Sequence, residues 1–262
     1  MAKKILQVLV IGDTHDSPHI PDKSRFGWFA KYIKKTKPDY VVQIGDFITL
    51  DSCTHYIKDD TYTARIEKPV FLKDMESMDS AMEEFNYHLK KFEVKKYITM
   101  GNHERRMFRK EDFNPSFYGM CQKEYYGICK KYDWEVIPYG KYLMLGGVGF
   151  IHAPINPMGK EYGGEASERM VANKSKIDIV FGHSHRAQDN RVSKISDIKN
   201  DFTRIVNVGC SLPHNHIEGY AKHSLTGWTY QICELKIWDN HIQEVNNISM
   251  QTLERDYGRK EK

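Results

Sequence analysis

Five apolar segments of this chain each end abruptly in a cluster of aspartate, histidine or asparagine. The segment 5–11 runs into Gly-Asp-Thr-His, and 39–44 into Gly-Asp. Residues 96–100 run into Gly-Asn-His-Glu, the segment ending at Ile151 into His152, and 177–181 into Gly-His-Ser-His. Segments this apolar read as buried β-strands. A buried strand that stops at ionisable residues must deliver them to one rim of its sheet. In open α/β sheets that rim is where sites form. Glycine opens four of the five clusters, which lets the backbone turn sharply and come close to a ligand.

The stretches between these strands support the same architecture. Apolar residues recur at helical spacing over 24–36, 70–92, about 104–131 and 165–175. Residues 134–153 read as two or three short strands around Gly146-Gly147, and 203–209, 227–238 and 241–250 as late strands. The last two form a hairpin over Asp239-Asn240, and the tail 254–262 reads as a solvated end. βα units therefore dominate the first half and hairpins the second. No repeat or linker divides the chain, so residues 1–262 read as one domain with an insertion-like loop at about 51–69.

Composition removes several classes. With 40% hydrophobic and 28% charged residues the chain is globular rather than disordered. No apolar run approaches the ~18 residues needed to span a bilayer, so no membrane partner is expected. The opening residues read as a first strand rather than a signal peptide. Five cysteines, an odd number without a Cys-x-x-Cys pair, argue against disulfides or a thiolate zinc site. They favour a reducing, cytoplasmic setting. A net charge of +4 permits contact with phosphates without declaring a nucleic-acid binder.

The strand-end clusters offer Asp13, His15, Asp46, Asn102, His152, His183 and His185. These nitrogen and oxygen donors suit manganese first, with iron, zinc or nickel as alternatives, and suit calcium poorly. They are too many for one tetrahedral ion. Two divalent ions sharing a bridging carboxylate would use them all. Such a pair, ~3.5–4 Å apart, can hold a hydroxide and clamp phosphoryl oxygens. The two-residue spacing of Asp13/His15 and of His183/His185 would aim each pair to one side of an extended segment.

In this order, Asp-Thr-His, Gly-Asp-Phe-Ile-Thr, Gly-Asn-His-Glu, the lone His152 and Gly-His-Ser-His resemble the blocks of calcineurin-like metallophosphoesterases. The resemblance runs from residue 5 to about 209 and includes Val-Asn-Val-Gly-Cys-Ser at 206–211. It implies a four-layer αββα sandwich with two mixed sheets. It also implies a division of donors: Asp13, His15, Asp46 and His185 on one metal, and Asp46, Asn102, His152 and His183 on the other. His103 is then the general acid that protonates the leaving oxygen. One departure is plain: Thr49 stands where part of the family has a second aspartate that orients this histidine. Asp51, two residues on, is a substitute by another loop path. The departure also argues against the protein serine/threonine phosphatase branch.

Each residue has a plainer alternative. Asp13 alone reads as a turn or helix cap, and Asn102 as the cap of the helix that follows. Glu104 reads as loop support and Asp16 as a neighbour of the ligands. The histidines of 213–223 read as a solvated loop or a pocket rim. Arg105 and Arg106 stand beside the site as substrate-binding candidates. Phe108, Phe113, Phe117, Tyr118, Tyr125 and Tyr126 could stack bases or could be core. The reading is a two-metal phosphoesterase acting through a hydroxide between the ions on phosphodiesters of nucleic acids or nucleotides. The alternatives are a small-molecule phosphomonoesterase or cyclic-nucleotide phosphodiesterase and, in another class, a non-catalytic metal-binding scaffold.

Overall fold

A computed structural model of the chain describes residues 4–54, 70–164, 166–196, 201–221 and 227–258. Its first strand, β1 (Leu6–Ile11), is apolar at nearly every position because both its faces are covered. Leu9 and Ile11 face one core, and Val8 and Val10 face another. This is the period of two expected of a strand between two layers.

β1 lies in the middle of a six-stranded sheet. On one side it pairs in parallel with β2 (Tyr40–Gln43), followed by β3 (Lys95–Thr99) and β4 (Trp134–Ile137). On the other side it pairs antiparallel with β10 (Gln231–Trp238), which forms a hairpin with β11 (His241–Ser249). The second sheet has five strands. Its order is β5 (Leu143–Leu145), β6 (Val148–Phe150), β7 (Ile179–Phe181), β9 (Phe202–Val208) and β8 (Ala187–Ser193). β6, β7 and β9 run parallel, with β5 and β8 as antiparallel edges. Both sheets are therefore mixed.

Three cores separate four layers. Val8, Val10, Val42, Val180, Val206 and Leu235 fill the space between the sheets. Helices α1 (Ser24–Thr36), α2 (Phe71–Leu89), α4 (Met120–Lys131) and α6 (Met250–Tyr257) cover the outer face of the first sheet through Phe29, Met82, Tyr125 and Leu253. Val171 and Ala172 of α5 (Ser167–Lys174) cover the second sheet against Ile179 and Ile205. The order is helix, sheet, sheet, helix, as the resemblance implies.

Four details differ from the sequence expectation. The helical stretch after Glu104 breaks into α3 (Arg105–Phe113) and α4, separated by a single turn at Pro115–Phe117. Pro115 cannot donate to a continuing helix, and Gly119 adopts φ +79°. β8 was not anticipated: its residues Ala-Gln-Asp-Asn-Arg-Val-Ser are polar because an edge strand pairs on one side only. β10 begins at Gln231 rather than near 227. The last strand stops at Ser249 rather than at Met250; Ser249 Oγ accepts from Thr252 N and starts α6, which buries Met250 and Leu253 and carries a helix into the expected solvated tail as far as Tyr257. Of the expected loop at about 51–69, Asp51–Cys53 forms one 3₁₀ turn, and 55–69 lies outside the described residues. No described helix is long and apolar enough to cross a membrane.

Candidate metal centre

β1, β2 and β3 of one sheet and β6 and β7 of the other all end at the same rim. The residues after them meet there. Ligand-capable atoms of Asp13, His15 and His185 lie within 4.8 Å of one another, and so do those of Asp46, His152 and His183. Asn102 Oδ1 joins the second group, 2.9 Å from both His152 Nε2 and His183 Nδ1. Asp46 stands between the groups. Its Oδ2 is 3.7 Å from His15 Nε2 and 3.3 Å from His152 Nε2. All seven donors named from sequence are thus brought together.

The backbone does this by curling rather than by extension. His15, Asp46, His183 and His185 have φ of 40°, 47°, 70° and 59°. This left-handed region costs a non-glycine residue about 1–2 kcal/mol, and such strain collects where geometry serves a site. The extended pairing expected for the two-residue spacings is therefore replaced by tight turns. His183 and His185 fall in different groups, and Asp13 and His15 in the same one. Two glycines allow close approach: a Cβ on Gly101 would lie 2.0 Å from Asp46 Oδ1, and one on Gly182 would lie 2.2 Å from Asp13 Oδ1.

Divalent cations fit this donor set. Asp13 Oδ1 is buried with no hydrogen-bond partner, an expensive state for a carboxylate oxygen. His15 Nε2 and His185 Nε2 face each other at 3.0 Å, and His185 Nε2 is 3.2 Å from Asp13 Oδ2. His152 donates from Nδ1 to the Ile44 carbonyl at 3.1 Å, which leaves Nε2 as the ring nitrogen that faces Asp46 and Asn102. Burial lowers the His152 pKa, but Asp46 and Asp13 overcome it and push the value up to about 10. The same negative field favours a bound cation. His15 is driven the other way, well below its usual range, by burial and then by the imidazoles of His103 and His185.

The calcineurin-like phosphoesterase family model matches residues 6–187. The chain belongs to this family. Among solved structures, Vps29 from Entamoeba histolytica complexed with Zn²⁺ aligns with a TM-score of 0.38 and 12% identity, covering 94% of this chain and 99% of that one. The purple acid phosphatase PPD1 from yellow lupin (Lupinus luteus) aligns with a TM-score of 0.42 and 13% identity, covering 95% of this chain and 54% of that one. No curated protein sequence matches the chain significantly.

In this member of the family His103 is buried beside Asp46, with its Nε2 3.9 Å from Asp46 Oδ2, and forms with His15 and Asp46 a third ligand-capable group. Its Nδ1 donates to the carbonyl oxygen of Thr49 at 2.7 Å. The main chain of the substituted residue thus supplies an acceptor that its side chain lacks, and the orienting role suggested for Asp51 passes to Thr49. Arg106 donates to the same carbonyl from Nη1 at 2.8 Å and to His103 Nε2 from Nη2 at 3.0 Å. Burial holds His103 down at about 4, with Asp46 opposing and Arg106 reinforcing. Arg105 lies over the Tyr139 ring at 4.7 Å.

Glu104 is fully buried and binds no donor of the cage. Its carboxylate accepts from the amides of Asp46, Phe47, Ile48 and Gly101, at 3.0, 2.8, 3.3 and 2.8 Å. It therefore ties the β2 loop to the β3 loop. Burial and Asp46 push it up to about 7. Asp16 is a structural anchor, held by Lys23, Arg25 and Ser77.

Sequence reasoning missed the Thr49 carbonyl, because every residue carries one. It also missed Glu161, whose Oε2 lies 3.8 Å from His183 Nε2 and whose Oε1 accepts from Tyr139. His214 and His216 line a separate cavity with His19 and Trp28, apart from the metal-ligand groups, and His223 lies outside the described residues.

Proposed function

We propose that this chain is a two-metal phosphoesterase whose substrates are phosphodiesters of nucleic acids or nucleotides. One observation carries the reading: six nitrogen- and oxygen-bearing side chains from five strand ends gather around Asp46, and a buried carboxylate oxygen of Asp13 has no hydrogen-bond partner among the described residues. Asp13, His15, Asp46 and His185 would hold one ion, and Asp46, Asn102, His152 and His183 the other. When bound, a divalent pair supplies Lewis acidity and a water made acidic enough to ionise near neutral pH. Manganese is the first choice among metals of this donor preference.

The chain's own residues do the rest. Arg106 sits at the mouth of the cage, and its guanidinium can pair with two phosphoryl oxygens. Its shift onto the substrate would free His103 Nε2 to take a proton from solvent, favoured by the substrate's negative phosphate, and to pass that proton to the leaving oxygen. Thr49 holds Nδ1 and so aims that nitrogen inward. General acid catalysis of this kind contributes typically ~10²–10⁴-fold. Arg105 flanks the same approach.

The substrate reading draws on the outer part of α3 and the turn after it. Phe113 is 84% exposed and Tyr118 is 72% exposed, beside exposed Arg109 and Lys110. Exposed aromatic and basic residues along one path suit unpaired bases and their phosphates. Tyr125 is fully buried and belongs to the core, Phe108 and Tyr126 are partly covered, and the Phe117 side chain lies outside the described residues.

Hydrolysis of bis(p-nitrophenyl) phosphate with added manganese tests the reading, run beside the monoester and a single-stranded DNA and RNA panel. Diester turnover with two equivalents of bound metal supports it. Turnover of the monoester alone turns the choice to a phosphatase. Metal binding without any turnover turns it to a scaffold.

A further inference from the structure

At the opposite end of the six-stranded sheet a crevice of about 960 Å³ opens where β2 and β3 begin and α2 ends. Lys4, Lys90, Lys91, Lys95 and Lys96 line it, against the acids Asp39, Glu93 and Asp133. Most of these charges have ordinary surface roles. Lys4 is paired with Asp39 at 2.5 Å, and Lys90 lies 6.0 Å from the Tyr87 ring.

Lys96 is different. It is only 8% exposed. It sits inside β3, where alternation puts it on the helix-covered face with Ile98. Among the described residues no hydrogen bond or ion pair holds its ammonium group, although its side chain lines the crevice. Burial lowers its pKa, and Asp133 offsets that only in part. The side chain is thus buried along its length while its ammonium opens to the crevice with no hydrogen-bonding acceptor from the described residues, which leaves it available to an anion there. Around it lies an apolar floor of Leu6, Tyr40, Phe92 and Val94.

We propose that this crevice is a binding site for an oxyanion, a phosphate, sulfate or carboxylate group. Lys96 is its inner anchor and Lys91 and Lys95 stand at its mouth. The apolar floor suits the body of a small ligand that carries the anion. The site is separate from the metal centre: Lys96 stands at the start of β3 and Asn102 beyond its end, and the crevice lining shares no residue with the metal-ligand groups. It does not rest on the hydrolytic reading, and it stands if that reading fails.

Thermal unfolding of the full chain in a sodium sulfate titration tests it, with sodium chloride holding ionic strength constant. Wild type, Lys96→Met and Asp46→Asn are compared. Lys96→Met keeps the volume of the side chain and removes the charge. The melting temperature of wild type and of Asp46→Asn is expected to rise and saturate with sulfate. Lys96→Met should need at least about tenfold more sulfate, the loss expected for one charged hydrogen bond, while keeping the wild-type circular dichroism spectrum. An equal response in Lys96→Met would mean a general salt effect and overturn the proposal. Loss of the response in Asp46→Asn would place the anion at the metal centre and overturn it as well. Should Lys96→Met fail to fold, the double variant Lys91→Met/Lys95→Met decides: a weaker sulfate response supports the site, and an unchanged one overturns it.

Discussion

A single carbonyl oxygen decides how His103 is aimed. The side chain expected at position 49 is a carboxylate, and threonine cannot replace its charge. The Thr49 carbonyl instead accepts from Nδ1, and the Thr49 side chain is engaged elsewhere, donating from Oγ1 to the His15 carbonyl at 3.0 Å. The two functions can therefore be separated. Thr49→Ala keeps the carbonyl and loses one buried hydrogen bond, costing about 0.5–1.5 kcal/mol of stability. Its rate on bis(p-nitrophenyl) phosphate should stay within about tenfold of wild type, the limit for a change of that size in free energy. His103→Ala should lose ~10²–10⁴-fold. Both variants should keep two equivalents of metal by elemental analysis. If Thr49→Ala falls as far as His103→Ala, the carbonyl is not what positions the ring. A missing equivalent in His103→Ala would make His103 a ligand. Asp46→Asn should do what neither does and lose both metal and rate, because Asp46 faces both donor groups.

At the scale of elements, strands and their terminal clusters were legible because burial writes them as apolar runs that end in glycine and ionisable residues. The ligand loops were legible by residue type and not by shape. Nothing in Asp-Thr-His or His-Ser-His announces a left-handed turn, since those residues enter that region only under tertiary constraint. β8 was illegible for the opposite reason: an edge strand needs no apolar face to be held. The α3–α4 break was written in Pro115 and Gly119, and the buried residue that secures it, Glu111, looked like any helix carboxylate. Glu111 accepts from the amides of Gly119 and Gln122, at 2.9 and 3.0 Å, and from the Gln122 side chain. Burial raises its pKa, and these bonds more than reverse that, leaving it below its ordinary value. A depressed carboxylate pKa means stabilisation that is complete above the unfolded value, about 4.3 for glutamate. It is lost as pH falls through the folded value. Glu111→Ala should therefore cost about 1–3 kcal/mol near neutral pH, by chemical denaturation. The gap to wild type should narrow below about pH 4. A gap that stays constant with pH would show that the charge of Glu111 contributes nothing.

Across the whole molecule, the candidate centre is a seam between the two sheets. Asp13, His15, Asp46 and Asn102 follow strands of the six-stranded sheet, and His152, His183 and His185 follow strands of the five-stranded one. Two of the three donor groups hold residues from both: Asp13 and His15 with His185, and Asp46 with His152 and His183; the third, His15, Asp46 and His103, lies on the six-stranded sheet alone. Cations there would cross-link the sheets at their rim and neutralise buried carboxylates that otherwise repel. They would also offset the left-handed strain of four ligands. Binding that favours the folded state alone adds RT ln(1 + [L]/Kd), about 2.7 kcal/mol at a hundredfold excess over Kd. For a chain of this size each kcal/mol moves the melting temperature by roughly 2–4 °C. Chelation should therefore lower the melting temperature of wild type by several degrees in one cooperative transition, and added manganese should restore it. Gly182→Ala supplies the structural control. Its new methyl group meets Asp13 Oδ1 and forces the β7 loop away from the β1 loop. It should melt lower than wild type in manganese and respond weakly to chelator. If chelation abolishes hydrolysis but leaves the wild-type melting temperature unmoved, the ions sit in the site without joining the sheets. The rim would then be held by the interlayer core alone.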